Sequence, residues 1–533
     1  MTVDRLALDQ LALDQLAFDQ LALVERAKGY SSQIAIVDQR GKFTYGDLLA
    51  ASAQIATALL QPQIASQSAA QVAAQTPTPK PTSADLHEAR VGILIPSGFD
   101  YVAAQWGIWR AGGIAVPLCM SHPQPELAYV LDQAEVSILI TDPCFMDLIS
   151  PLTLERQIQL WTIQELLAAA EVPEDILPNI TSDRRALMLY TSGTTGKPKG
   201  VVTTHSQITA QVTSLVSAWQ WTSTDKILHV LPLHHIHGIV NVLTCALWVG
   251  AQCHMMPKFD PLGVWHRFAV GDLTLFMAVP TIYRKLITAW GQLPPVQQQL
   301  GATGCQRMRL MVSGSAALSV GILQQWQSIS SHILLERYGM TEIGMALSNP
   351  YEGERRVGYV GLPLPGVEVR LVDGEIQVRG AGVFREYWRN PEATAASFDD
   401  GWFRTGDAAV IENGAYRILG RQSIDIIKSG GYKVSALEIE ETLRSHPMIA
   451  DVAVVGLDDE EWGQKVAAAL ILKAELPENA TMTLSELRQW AKARIAVYKV
   501  PQQILILDEL PRNAMGKVVK PEVVKLFHSS HQD

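Results

Sequence analysis

A strand-like run at residues 186–190 ends at Tyr190 and is followed by Thr-Ser-Gly-Thr-Thr-Gly-Lys-Pro-Lys-Gly200. That junction restricts the possible folds of this chain more than any other stretch. Glycines let backbone N–H groups close around an anion, and the Thr and Ser hydroxyls add further donors. The two lysines supply charge suited to a polyphosphate. The string is not a Walker A loop, because Lys197 is followed by Pro198 rather than by Ser or Thr.

The rest of the chain agrees with a strand-end ligand site. Short apolar runs at 91–95, 136–141, 186–190 and 227–231 read as strands with helical stretches between them, an α/β pattern of parallel sheets. A chain of 533 residues is too long for one core, so a large and a small one are expected. Beyond residue 360 the texture changes, and 367–371 and 375–378 alternate as hairpin strands do. After Gly420 come helix-start signals at Ser435-Ala-Leu-Glu438 and Thr483-Leu-Ser-Glu486, with a strand at 451–457 between them. The expected division is a repetitive extension at 1–24, a large domain at 25–420 with a flexible insertion at about 61–86, a hinge at 421–424 and a small α+β domain at 425–533. The extension repeats a five-residue unit (DRLAL, DQLAL, DQLAF, DQLAL), which fits neither a strand nor a helix face. Three or four copies are too few for a solenoid, so the repeat reads as a dispensable helical leader, with a partner-docking helix as the alternative.

Composition removes several classes of function. The net charge is -10 and the lysines are scattered, which argues against a nucleic-acid partner. Five cysteines without a C-x-x-C pair argue against a disulfide framework and a zinc site. No run of roughly 18 apolar residues is free of polar breaks, so no membrane span is expected. Asp4, Asp9, Asp14 and Asp19 interrupt the N-terminus and speak against a secretory or transit peptide, so a cytoplasmic location is expected.

Three further strings carry chemistry. In Tyr338-Gly-Met-Thr-Glu342 a carboxylate beside a phosphate loop is costly unless a cation bridges them, so Glu342 suggests Mg²⁺. Thr341 can donate to a phosphate. In Trp402-Phe-Arg-Thr-Gly-Asp407 the carboxylate suits a ribose diol. In Pro511-Arg-Asn-Ala-Met-Gly-Lys517 the ammonium can stabilise charge that develops on a phosphate and an attacking carboxylate.

Together and in this order, these motifs resemble the acyl-adenylate-forming superfamily, which includes acyl-CoA synthetases, firefly luciferase and peptide-synthetase adenylation domains. The resemblance runs from about residue 25 to the C-terminus. It implies a large N-terminal domain of packed α/β sheets and a small mobile C-terminal domain. It also implies ATP and Mg²⁺ as cofactors and a thiol, coenzyme A in the simplest case, as acyl acceptor. Residues matching Thr191, Ser192, Gly193, Thr194, Thr195, Gly196, Lys197 and Lys199 would surround the ATP phosphates, with Thr191 and Glu342 at the metal. Gly314, Ser315 and Ala316 resemble the loop lining adenine. Glu336, Arg337, Tyr338 and Gly339 complete the nucleotide side, and Tyr338 would stack on the base, a contact worth roughly 1–3 kcal/mol in base–aromatic pairs. Asp407 and Arg421 match the ribose readers, and Lys517 matches the mobile catalytic lysine. Lys428, Gly430, Gly431 and Tyr432 match the loop that lines the thiol's approach. The spacing from Arg421 to Gly430 is one residue longer than in the family, which puts the hinge at Ser423 or Ile424.

The acid is read from two stretches. Leu231-Pro-Leu-His-His-Ile-His-Gly238 matches the family's substrate gate, with His235 between carboxylate and phosphate. A metal triad of these histidines lacks a carboxylate or cysteine at ligand spacing. Val279-Pro-Thr-Ile-Tyr-Arg-Lys285 lies on the acyl-pocket wall in relatives, and malonyl-CoA synthetases carry a basic residue near it. Arg284 or Lys285 is therefore expected to pair with a distal carboxylate, with Met340 also lining the acid. The wording of 335–348, 383–388 and 427–438 also resembles the malonyl-CoA synthetases. Malonate is the favoured acid, with a medium-chain or aromatic acid as the alternative and a carrier protein in trans as another acceptor. A catalytically dead adenylate binder would have lost Lys517, Glu342 or the threonines, and all are present.

Overall fold

The computed structural model describes residues 21–61, 85–168, 177–191, 197–474, 481–512 and 516–529. The repeat at 1–20, nearly all of the insertion and the centre of the phosphate loop, Ser192 to Gly196, lie outside the described residues.

Two sheets form the large body. A seven-stranded sheet runs in the order Glu386–Tyr387, Lys199–Thr204, Arg185–Thr191, Ile114–Pro117, Arg90–Leu94, Ile138–Thr141, Gln159–Thr162. A nine-stranded sheet is centred on Leu310–Ser313, Leu275–Ala278 and Lys226–His229, with Leu335–Met340 beside them. Their central strands are parallel and buried, as the unbroken apolar runs require. The 367–378 hairpin is antiparallel, as its alternation predicts, and joins a third, five-stranded sheet.

The helix Phe99–Arg110 is buried over its whole circumference within the core shared by the two large sheets. It packs on helix Tyr45–Leu60 at Gly107, where a Cβ would stand 2.5 Å from Ile55. Most of its polar groups are answered, the buried Gln105 Oε1 excepted. Arg40 donates to both oxygens of Asp100, Trp109 Nε1 donates to Ala186 O, and Tyr101 Oη donates to Leu233 O at 2.7 Å. The last bond holds the backbone just before His234 and His235.

Residues 426–527 build two further apolar clusters around Ile449–Asp459 and Gly463–Leu472, which pair antiparallel. Thr483 and Glu486 form the expected reciprocal cap. Ser435 also caps its helix through Glu438 N, but the Glu438 carboxylate turns instead to Lys499 at 2.6 Å. Residues 421–425 form a turn in which Arg421 O accepts from Asp425 N.

One buried ion pair ties three parts of the nine-stranded sheet. Arg309 grips Asp225 with two bonds of 2.6 and 2.8 Å, and Thr274 Oγ1 and Thr222 N also donate to that carboxylate. Burial works to raise the Asp225 pKa, but hydrogen bonds from Arg309 and Thr274 and the Arg309 charge outweigh it, so it falls below its ordinary value. Its contribution to stability is therefore present above the ordinary carboxylate range and fades as pH drops through the lowered value. Arg309→Leu leaves an unpaired buried carboxylate and should cost about 3–5 kcal/mol at neutral pH. Urea unfolding checks this, and the deficit should shrink as acid neutralises Asp225.

Candidate active site

The strand Arg185–Thr191 pairs with Lys199–Thr204 in antiparallel register, Thr191 opposite Lys199. The phosphate loop therefore joins two strands rather than a strand and a helix. An anion there would be met by loop N–H groups, hydroxyls and lysines, since the described residues on both sides are strands. Lys197 Nζ lies 5.8 Å from the centre of the Tyr129 ring, and Lys199 Nζ lies 4.8 Å from that of Tyr387.

Tyr387 connects this loop to the second motif. Its hydroxyl donates to Glu342 Oε1 at 3.0 Å. Glu342 is buried, which pushes its pKa up, while the Tyr387 bond and the charges of Arg421 and Lys199 pull it back. A buried carboxylate facing a phosphate loop suits a divalent cation that shares phosphate oxygens, so Glu342 and Thr191 fit Mg²⁺. The turn carrying Thr341 closes with Ile343 N donating to Met340 O. It requires glycine at 339, where a Cβ would lie 2.0 Å from Gly344 O.

Asp407 is gripped from two sides. Tyr338 Oη donates to Oδ2 at 2.6 Å and Arg421 Nε donates to Oδ1 at 2.9 Å. The residues expected to read ribose and to stack on the base, Asp407 and Tyr338, are thus one hydrogen-bonded unit. Lys517 lies near the same group, with Asp407, Arg421 and Arg337 acting on it, although its residue is exposed. Burial, then the Arg421 and Arg337 charges, lower its pKa, and Asp407 raises it. His235 lies near enough for the Lys517 charge to act on it, after burial, in bringing its pKa to about 4. It is therefore neutral at pH 7, and its buried Nε2 has no partner. The described residues hold no cluster of three or more metal-ligating side chains, the 234–237 histidines included.

Arg337 is the least compensated charge in this region. It is buried against Gly314, and its Nη2 donates to Ser315 Oγ at 3.3 Å, while Nε and Nη1 have no partner. Burial pushes its pKa down to about 9. Ser315, held at a φ of 68°, also meets His237 Nδ1 at 3.3 Å. Ala316 is exposed beside them. Glu336 takes no part in this group. Its carboxyl accepts from Gly358 N, and burial raises its pKa to about 8.

Two expected groups lie elsewhere. Arg284 and Lys285 are exposed, so the pairing with a distal carboxylate expected of them has no buried pocket to act in. The helix Pro280–Gly291 turns Ile282, Tyr283 and Leu286 inward, which directs Arg284 and Lys285 to the outer face. Arg284 binds Asp451, and Lys285 lies over Phe259. Lys428, Gly430, Gly431 and Tyr432 lie on an exposed hairpin, where Tyr432 stacks on Tyr498 at 4.3 Å. Sequence reasoning missed Tyr387 and His237. The Phe-Arg-Glu-Tyr-Trp388 and His-His-Ile-His237 strings contain them, but nothing in a string shows which member turns inward.

The sequence matches the AMP-binding enzyme family over residues 86–388 and the AMP-binding enzyme C-terminal domain over 438–517. It is 44% identical to the mitochondrial malonate–CoA ligase of Bos taurus, with 94% of this chain and 90% of that protein covered. It is 42% identical to the malonate–CoA ligase of Arabidopsis thaliana, covering 83% and 78%. The fold superposes on ATP-bound MatB from Rhodopseudomonas palustris with a TM-score of 0.82 at 30% identity, covering 95% of this chain and 99% of that one. These relatives overturn the expected cytoplasmic location. The ligases of Bos taurus, Xenopus laevis, Mus musculus and Homo sapiens are all named mitochondrial, so acidic residues near the N-terminus were a poor guide to the compartment. With one family match spanning Thr191 and Glu342 and the other ending at Lys517, the chain belongs to the AMP-binding enzyme family.

Proposed function

We propose that this chain is a malonate–CoA ligase that forms malonyl-AMP from malonate and ATP and then malonyl-CoA. The observation that carries the choice of acid is the buried Arg337 guanidinium, with two nitrogens unpartnered beside Ser315 and His237. An uncompensated buried cation is expensive, and a substrate with a second carboxylate relieves it. A monocarboxylic acid leaves that cost in place. The relatives named malonate–CoA ligases support the same reading.

In the first step one malonate carboxylate attacks the α-phosphorus. An O–P bond forms and the bond to pyrophosphate breaks. Lys517 stabilises the charge that grows between the two reacting groups, and Thr341 donates to the phosphate. Thr191, Lys197, Lys199 and the loop at 192–196 hold the leaving phosphates. Glu342 with Thr191 would hold Mg²⁺, which when bound would supply charge to neutralise them. Neutral His235 lies between the acid and phosphate sites and can orient without adding a cation. In the second step the thiol sulfur attacks the acyl carbon, AMP leaves and the thiol proton passes to solvent. Lys517 must withdraw for that step, and the hairpin at Gly430–Tyr432 takes its place after rotation about residues 421–424.

Lys517→Ala should lower pyrophosphate release by roughly a hundredfold or more and largely spare malonyl-CoA formation from supplied malonyl-AMP. Assays of the two half-reactions separate these outcomes, and equal loss in both would count against two conformations. Arg337→Ala should lower kcat/KM for malonate by about tenfold to a hundredfold while changing that for acetate much less. Steady-state kinetics over a panel of acids checks it. Retained malonate preference in that variant, or a wild-type preference for octanoate, would remove the dicarboxylate reading.

A further inference from the structure

Arg284, on the outer face of helix Pro280–Gly291, places Nη1 3.2 Å from Asp451 Oδ2. Asp451 belongs to strand Ile449–Asp459 of the small domain and is 9% exposed. The same Oδ2 accepts from Arg512 Nη2 at 2.5 Å, and Arg512 Nη1 donates to the carbonyl of Gly516, the residue before Lys517, at 2.5 Å. Arg444 Nε stands 3.5 Å from Asp451 Oδ1. Three guanidinium groups thus converge on one carboxylate, and one of them leads directly to the loop that carries the catalytic lysine.

The three arginines differ in where they come from. Arg444 and Arg512 belong to the same domain as Asp451 and stay with it in any domain arrangement. Arg284 comes from the large domain, so its bond exists only when the small domain lies as it does here. A second contact across the same boundary supports this placement. Val320 N, in the first turn of helix Val320–Ser330, donates to Glu441 Oε1 at 3.0 Å, and Glu441 lies 3.8 Å from Arg444. Gly516 packs beside Thr281 of the Arg284 helix, where a Cβ would come within 3.3 Å.

We propose that Arg284 is a positioning residue for adenylation: its bond to Asp451 latches the small domain in the pose that inserts Lys517, and it takes no part in selecting the acid. The inference rests on the two-step reading above. The Arg284 side chain is 52% exposed, so water screens the pair and keeps it weak enough to open in each turnover. Presenting Gly430–Tyr432 to the thiol requires the small domain to turn, and that turn separates Arg284 from Asp451. The latch therefore favours the first half-reaction and opposes the second.

The test uses the full chain with Arg284→Ala, Arg284→Glu and Arg284→Lys. Pyrophosphate release is measured with malonate and MgATP, and malonyl-CoA formation with added malonyl-AMP and coenzyme A. Arg284→Ala should slow pyrophosphate release about threefold to tenfold through kcat, with KM for malonate unchanged. Arg284→Glu should slow it further, and Arg284→Lys should restore most of it. Thioester formation should be unchanged or faster in all three. Unaltered pyrophosphate release, equal loss in both half-reactions, or a raised KM for malonate at constant kcat would overturn the latch. Failure of the wild type to form malonyl-AMP would instead overturn the functional reading beneath it.

Discussion

Cations crowd the centre of this molecule. Arg337, Arg421 and Lys517 act on one another there, and Lys199 adds its charge near Glu342. Among the described residues Asp407 and Glu342 oppose them, and Asp407 is already bound by Tyr338 and Arg421. Desolvation lowers the pKa of both Arg337 and Lys517, and for Lys517 the neighbouring Arg421 and Arg337 charges add to it. Anionic ligands would relieve this crowding. Holding the cations together without those ligands is a cost that the surrounding structure must support.

That support is built from packed elements rather than from loops alone. The buried helix Phe99–Arg110 joins the two large sheets and fixes the backbone before His234 through Tyr101. Strand Leu335–Met340 delivers Arg337 and Tyr338 as neighbours, and the Gly339 turn sets Glu342 behind them. Lys517 differs, because it arrives on a separate apolar core. Its place depends on contacts between domains, with Arg284–Asp451 and Val320–Glu441 among them. The division suits a reaction in which one lysine must act and then leave.

Most of the site was legible as strings because each motif works within a few consecutive residues. The strand before Thr191, the turn at 340–343 and the cap at Thr483 are local objects, set by glycine, hydroxyl and apolar placement over four to ten residues. The same proximity misled at Arg284 and Lys285. They stand next to core residues Ile282 and Tyr283 in sequence, but a helix turns about 100° per residue and carries them to the opposite face. The Glu438 carboxylate likewise left its expected cap for Lys499, which is 61 residues away. The acidic N-terminal repeat suggested the wrong compartment, since targeting is read by other machinery and not by the folded core.

The class of chemistry was readable in the chain alone: strings expected to form a phosphate loop, a metal-seeking carboxylate, a ribose reader and a late lysine follow one another in order on an α/β frame. Each depends on residue type and short spacing, which the chain states directly. Which cation is enclosed and which reaches the other domain was set by packing between distant segments. Arg337 and Arg284 are equally basic in the sequence. One is enclosed against Gly314 with its nitrogens unpartnered, and the other lies half in water on Asp451. Burial and partner set what a charge does, and both are properties of residues brought together from distant parts of the chain.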